Sequence, residues 1–301
     1  MAFSLCSTKS LTLLLLISAI PFAYIISLER TKFATHVYQY HSSGFMRECA
    51  KWDQSHRRFL VSFLGGGVGQ PGNASLGIVL DHPRNRLLVV VSDLFWNKYS
   101  ALAAYDLSTW KRLFLTQLSG PSDEKSLADD AAVDEEGNAY VTDAKASKIW
   151  KVGVNGELVS IIRSPLFIAK EWYKNLVGLN GIVYHPNGFL IVIHTFSGNL
   201  FKIETGKGEE IKLIKVEGGP LSFGDGMELL SPTKLVVAGN HPSARLVESS
   251  DGWETASVVA KFSGPAHRLA SAATVKDGQV YLNHIIGLGY PKKHLLVQAV
   301  F

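Results

Sequence analysis

Six short apolar runs along the chain each begin beside one residue at an equivalent position, and four of those residues carry a carboxylate or an amide. They are Glu48 before CAKW, Asp129 (with Asp130 beside it) before AAV, Asn180 before GIVY and Asp225 before GMELL. Leu76 and Ser271 stand at the equivalent places before GIVL and AAT. Three carboxylates and an amide oxygen aimed at one point repel one another, and a hard divalent cation relieves that repulsion. An all-oxygen set suits Ca²⁺ above Mg²⁺ or Mn²⁺, and the absence of Cys and His from it argues against zinc. Taken singly, Asp225 and Asn180 read as turn residues, because Asp-Gly and Asn-Gly are turn dipeptides. Their recurrence at one position of successive units shifts the reading to a metal cup. His194 (LIVIHTF) and His284 (YLNHI) close apolar strands and are candidate acid–base groups lining a substrate site, with a buried rim histidine as the default reading. Tyr173, beside Trp172, is a candidate lid residue. Gly65-Gly66-Gly67 lacks the lysine and strand-to-helix context of a phosphate loop and reads as a loop between strands.

Residues so far apart in sequence meet only if the strands that carry them surround a common axis. The chain repeats a unit of apolar strand, turn and apolar strand at 48–64, 75–93, 128–144, 180–195, 225–239 and 271–285. Most unit starts lie near the ~40–50-residue period of propeller blades. Glu135-Glu136-Gly137-Asn138, His185-Pro186-Asn187-Gly188 and Lys276-Asp277-Gly278 supply hairpin turns. Third strands (SALAAYDL, SKIWKVGV, GNLFKIET, ARLVESSD) and fourth strands (ELVSIIRS, IKLIKVEG) follow. The expected fold is all-β: a six-bladed β-propeller over residues 35–301. THVYQYH near the start and HLLVQAVF at the end are expected to pair and close the last blade, which removes two open edges. A β-sandwich of hairpins is the competing reading, and it does not require six similar units. A short helix is expected between Phe167 and Leu179.

The composition excludes other classes. Hydrophobic residues make up 47% and charged residues 19% of 301, a globular balance. The net charge of +4 is spread without a clustered basic face, so no nucleic-acid partner is expected. Residues 1–30 differ: Lys9 precedes the apolar run Leu11 to Leu28, and Arg30 and Lys32 follow it. This reads as a secretory signal peptide or a retained signal anchor. The expected location is the secretory pathway (endoplasmic reticulum lumen, vacuole or extracellular space), with membrane contact only through that segment if it is uncleaved. Cys6 falls inside the segment, which leaves Cys49 alone and no internal disulfide. The sequon Asn73-Ala74-Ser75 is a glycosylation candidate where its loop is exposed. A monomer is expected.

The words Glu48-Cys-Ala-Lys-Trp52-Asp53, Asp129-Asp130-Ala-Ala-Val133-Asp134, Asn180-Gly181-Ile182 and Asp225-Gly226-Met227 resemble those of the gluconolactonase/regucalcin family. Its wider relatives include paraoxonase, diisopropyl fluorophosphatase and strictosidine synthase. Among them the chain is most similar to plant proteins described as calcium-dependent phosphotriesterase-like, from about residue 35 to the end. The resemblance implies that Glu48, Asn180 and Asp225 bind the metal, and that Asp225 is the favoured base. It also implies that Asp129, usually Asn in the family, lies beside metal and substrate. Two departures stand out. Leu127 occupies the place where the family usually carries a substrate-reading arginine, and Asp129 adds a negative charge. Both point to a small-molecule substrate more apolar than an aldonolactone. The expected function is divalent-metal-dependent hydrolysis of a lactone or ester. A strictosidine-synthase-like enzyme that does not use the metal, and a non-enzymatic lumenal propeller with structural Ca²⁺, are the alternatives.

Overall fold

The computed structural model describes residues 8–64, 73–206 and 209–301. Gly65-Gly66-Gly67 and Cys6 lie outside them. The chain divides into two compact units, Met1–His36 and Val37–Phe301. The first unit holds helix α1 (Thr8–Arg30), which contains Pro21. Its Leu11–Arg30 stretch, 20 residues with a mean hydropathy of 2.3, is long and apolar enough to cross a bilayer. A signal sequence has the same form.

The second unit is built almost entirely from strands. The first is β1 (Val37–Ser42), followed by the hairpin β2 (Ala50–Asp53) and β3 (Arg58–Val61). Next come β4 (Ala74–Asp81), β5 (Arg86–Ser92), β6 (Ser100–Asp106) and β7 (Arg112–Ser119). Then follow β8 (Ala128–Val133), β9 (Ala139–Asp143), β10 (Lys148–Val152) and β11 (Leu158–Arg163). The next set is β12 (Leu179–His185), β13 (Phe189–His194), β14 (Asn199–Glu204) and β15 (Ile211–Glu217). After it run β16 (Gly224–Ser231), β17 (Lys234–Gly239), β18 (Ala244–Glu248) and β19 (Thr255–Phe262). The chain ends with β20 (Ala270–Lys276), β21 (Gln279–His284) and β22 (Lys292–Ala299).

Each set of four forms an antiparallel meander in sequence order, because a tight turn joins each strand to the next. The third and fourth meanders also join edge to edge through a parallel pairing of β15 with β19, from Lys215↔Thr255 to Glu217↔Ser257. β20, β21 and β22 complete their sheet with β1, in antiparallel register from Val37↔Val297 to Ser42↔Lys292. The two ends of the unit therefore pair as the sequence leads one to expect. β2 and β3 form a two-stranded ladder, and the four-strand pattern is not completed there among the described residues. The short helix expected between Phe167 and Leu179 is a 3₁₀ helix, Trp172–Leu176, preceded by another 3₁₀ turn at Pro165–Phe167.

The sheets stack through their faces. Alternate residues of one strand feed different cores: Leu190 and Val192 join Tyr140, Ile149 and Phe201 on one side, whereas Ile191 and Ile193 join Leu235, Val237 and Trp253 on the other. Strands buried on both faces read as continuous apolar runs, which is why FLIVI carries no polar alternation. Each such side chain contributes about 1.5–3 kcal/mol on burial. The first strands lie against one another in cyclic order: β2 on β4, β4 on β8, β8 on β12, β12 on β16, β16 on β20 and β20 on β2. They line a common channel.

Candidate metal centre in an acidic channel

The ladder between each of five first strands and its neighbour breaks near the start of the first strand, and that of β16 breaks again between Leu229 and Ser231. The register skips from Ser75 to Ile78, from Ala128 to Ala131, from Leu179 to Ile182, from Gly224 to Met227 and from Ala270 to Ala272. The residues left out of the ladder are Leu76-Gly77, Asp129-Asp130, Asn180-Gly181, Asp225-Gly226 and Ser271. A bulge turns a side chain out of the alternating pattern, and here it turns one per strand. Three of the five carry the donors picked out from the sequence (Asp129, Asn180 and Asp225), and Leu76 and Ser271 stand in their column.

Close approach of these strands depends on glycine. A Cβ on Gly181 would sit 2.2 Å from the carbonyl oxygen of Asp225, and one on Gly77 would sit 2.4 Å from Asp130 Oδ1. Asp130 itself takes the second bulge position, where Gly77, Gly181 and Gly226 stand. Its carboxylate accepts the Ala131 N–H at 2.9 Å and the Ile182 N–H of the neighbouring strand. Thr142 on β9 accepts the Asp130 N–H at 3.1 Å and donates to the Asn180 carbonyl at 2.6 Å, fixing two bulges at once. Glu48 enters just ahead of β2. The Ser271 hydroxyl holds its carbonyl, as does Asn283 Nδ2 at 3.0 Å. Asn180 donates its side-chain amide to Asp225, which also accepts the Gly226 N–H.

The acids sense one another. Burial, then the charges of Asp225, Asp129 and Asp130, pushes Glu48 well above the usual carboxylate range. Burial, then Asp225, Asp130 and Asp143, does the same to Asp129. Asp225 is raised by burial and by Asp130. Asp130 rises to about 6, burial outweighing the nearby Lys51. Glu48 Oε2 is buried with no hydrogen-bond partner. Among the described residues, no group of three or more His, Cys, Asp or Glu side chains is gathered as a ready coordination sphere. Glu48, Asp129 and Asp225 thus repel across the channel without closing on a point. Their chemistry still fits a hard divalent ion: all donors are oxygens, Asn180 supplies a neutral one, and one Glu48 oxygen is left without a hydrogen-bond partner.

Other sequence candidates are placed differently. His194 and His284, 1% and 0% exposed, are buried at the ends of β13 and β21. Burial lowers them to about 4 and about 3, so both are neutral. Neither contributes to the charge balance of the cup acids. Leu127 is half-buried just before the β8 bulge, its N–H given to Asp143 Oδ1 at 3.0 Å. Tyr173 sits on an exposed turn. Asn73 of the sequon is 7% exposed, so it is not presented on an open loop. A separate cavity of about 370 Å³ is lined by His241, Pro242, Ser243, Ser263, Gly264 and Ala266, and none of the cup residues reaches it.

Two residues were not picked out from sequence. Lys51 on β2 and Glu228 on β16 form an ion pair within the channel, and Lys51 Nζ also reaches the Ala273 carbonyl at 3.3 Å. Burial works against the Lys51 charge, but Glu228, Cys49 and Asp130 outweigh it and hold the ammonium protonated. A signal was available: each is a charged residue three places after a cup residue (Glu48, Asp225), inside an otherwise apolar run.

No protein-family model and no curated protein sequence matches the chain. Solved structures do. A gluconolactonase from Xanthomonas campestris matches with 13% identity and a TM-score of 0.59, over 88% of this chain and 90% of its own. A streptogramin B lyase matches with 10% identity and a TM-score of 0.57, over 87% and 97%. A luciferin-regenerating enzyme matches with 11% identity and a TM-score of 0.54, over 88% and 96%. At these identities the likeness is one of fold: a mostly-β chain of several sheets, built like the β-propellers it matches.

Proposed function

We propose that residues 35–301 form a six-bladed β-propeller hydrolase that holds one divalent cation, Ca²⁺ in preference to Mg²⁺ or Mn²⁺, and opens a lactone or ester. One observation carries this reading. Glu48, Asp129 and Asp225 come from three different first strands, repel one another across the channel, and stand beside the Asn180 amide. Glu48, Asn180 and Asp225 would hold the ion, with Asp129 beside it. When bound, the cation supplies carbonyl polarisation and stabilises the negative charge that develops on the oxygen. The protein does the rest. The Asn180 amide and the Gly226 N–H fix the Asp225 carboxylate in one orientation. From there Asp225 would take the proton of the water that adds to the carbonyl and pass it to the ring or ester oxygen that leaves as the C–O bond breaks; or Asp225 would itself attack and displace that oxygen, water then opening the resulting acyl–carboxylate bond.

The substrate is apolar in this reading. Loops that precede first strands or follow second strands open on the cup end, and they expose Phe95, Trp96, Trp172, Tyr173, Phe223 and Tyr290. Leu127 at the bulge adds no charge. The neighbours named as a gluconolactonase and a luciferin-regenerating enzyme act on small molecules, which supports a small-molecule substrate. Helix α1 is the secretory signal or anchor that delivers the monomeric propeller to a lumenal or extracellular location.

The test is hydrolysis of a panel of lactones and aryl esters by the purified full chain, with Ca²⁺ or with chelator. Activity is expected with Ca²⁺ only, and lost in Asp225→Ala. Undiminished turnover in chelator overturns the metal role. It would favour a second reading that has its own observation: no coordination sphere is pre-gathered among the described residues, and Lys51 already supplies a positive charge. In that reading the raised carboxylates do acid–base work alone, as in a strictosidine-synthase-like enzyme. Cation binding with no turnover on any substrate would instead mark a binding module with a structural ion.

A further inference from the structure

We infer that Lys51 is a resident cation of the channel, and that its ammonium restricts the channel to a single divalent ion. This rests on the metal reading above.

The geometry follows from the cyclic order of the first strands. β2 has only β4 and β20 beside it in that ring. Yet the ion-pair partner of Lys51, Glu228, stands on β16, one strand beyond β20. The Lys51 side chain therefore reaches past β20 to β16, and its Nζ rests 3.3 Å from the Ala273 carbonyl. In the other direction Asp130 stands on β8, one strand beyond β4, and its charge bears on Lys51 as well. Oxygens from β16 and β20 thus touch the ammonium, and the Asp130 carboxylate on β8 adds its charge without an ion-pair contact. The Lys51 and Glu228 side chains are 15% and 28% exposed, so the pair is largely withdrawn from water.

A carboxylate and a backbone carbonyl in contact, with a second carboxylate charge bearing on them, belong to the ligand class of a hard divalent cation. In this channel a lysine stands among them. An ammonium is a compact charge with three N–H donors and no acceptor, so it satisfies such oxygens in the way a metal would. It differs in being tethered, so it cannot dissociate. It also repels any cation that approaches, and the repulsion is strong in a confined channel of low polarity. The cup acids Glu48, Asp129 and Asp225 keep their attraction for one ion, while the Glu228–Asp130 side is already occupied.

Replacing Lys51 by an uncharged residue is therefore expected to create a second cation site at Glu228 and the Ala273 carbonyl, under the charge of Asp130. The measurement is native mass spectrometry of the full chain in detergent with CaCl₂, read as calcium ions per chain. One ion is expected for the wild type and for Lys51→Arg, and two for Lys51→Met. Lys51→Gln, which keeps hydrogen bonds to Glu228 and Ala273, gives the same reading if the methionine variant does not fold. One ion in the wild type and still one in the neutral variants overturns the role of Lys51 and leaves the metal reading standing. None in the wild type but one in the variants overturns the metal reading and keeps Lys51 as the resident cation. None in any of them overturns both.

Discussion

Thr142 donates its hydroxyl to the Asn180 carbonyl at 2.6 Å and accepts the Asp130 N–H at 3.1 Å, so one side chain on β9 holds the bulges of β8 and β12 together. Neither contact involves a cup side chain. Both fix the backbone that aims them.

Thr142→Val, which keeps the shape and removes the hydroxyl, leaves two buried backbone groups without partners. A loss of about 1–3 kcal/mol in stability is expected, read by denaturant unfolding. Calcium affinity measured by calorimetry should fall several-fold, and Thr142→Ser should restore it. Unchanged affinity in Thr142→Val would show that the bulges hold their aim without this bridge.

Gly181→Ala places a methyl group 2.2 Å from the Asp225 carbonyl oxygen, so β12 and β16 must separate. Destabilisation of about 2–4 kcal/mol is expected from that overlap. Gly206→Ala, where nothing lies within 4 Å, is the matched control and should leave the melting temperature unchanged.

The acids predict how stability depends on pH and calcium. Asp130 moves from 3.8 when unfolded to about 6 when folded, and Glu48, Asp129 and Asp225 are raised too. A raised acid holds more protons folded than unfolded, so stability falls as pH rises between those values. Bound calcium favours the ionised form and removes that fall. Melting temperatures in chelator and in calcium should therefore coincide near pH 4 and separate progressively towards pH 7, calcium being the higher. Parallel curves would count against mutual repulsion in the cup.

His284 predicts the opposite trend. Burial lowers it from 6.5 to about 3, so the unfolded chain binds a proton that the folded chain refuses. Its contribution is full above pH 6.5 and is lost as pH falls through that window. In His284→Gln the acid side of the stability profile should flatten by one proton, measured by urea unfolding at several pH values.

Trp172, 76% exposed on the turn ahead of β12, offers apolar area to a substrate at the cup end. In Trp172→Ala the KM for an apolar ester is expected to rise about tenfold with kcat little changed, as loss of roughly 1–2 kcal/mol of burial implies. An unaltered KM would place the substrate elsewhere.

Much of this was legible in the sequence because it is local. Paired apolar runs with a turn word between them determine hairpins, and their repetition determines a stack of sheets. The closing pair of β1 and β22 was legible for the same reason: two unpaired apolar runs stood at opposite ends of a repeating array. The column Glu48, Asp129, Asn180, Asp225 was found because it recurs at one offset from each strand. His194 and His284 end apolar strands and are buried, which is the default reading of a histidine at such a place.

The rest is a property of the closed array. Sequence order says nothing of which strand lies across the channel from which, so the Lys51–Glu228 pair, spanning 177 positions, has no local signature beyond a charge in an apolar run. The bulges are likewise a matter of pairing register, visible only once two strands align. The sequence by itself determined which oxygens the protein owns and that they fall at equivalent places. The tertiary structure decided that three acids repel one another there and that an ammonium stands beside them, because distance between strands, and with it every electrostatic effect, exists only after the ring closes.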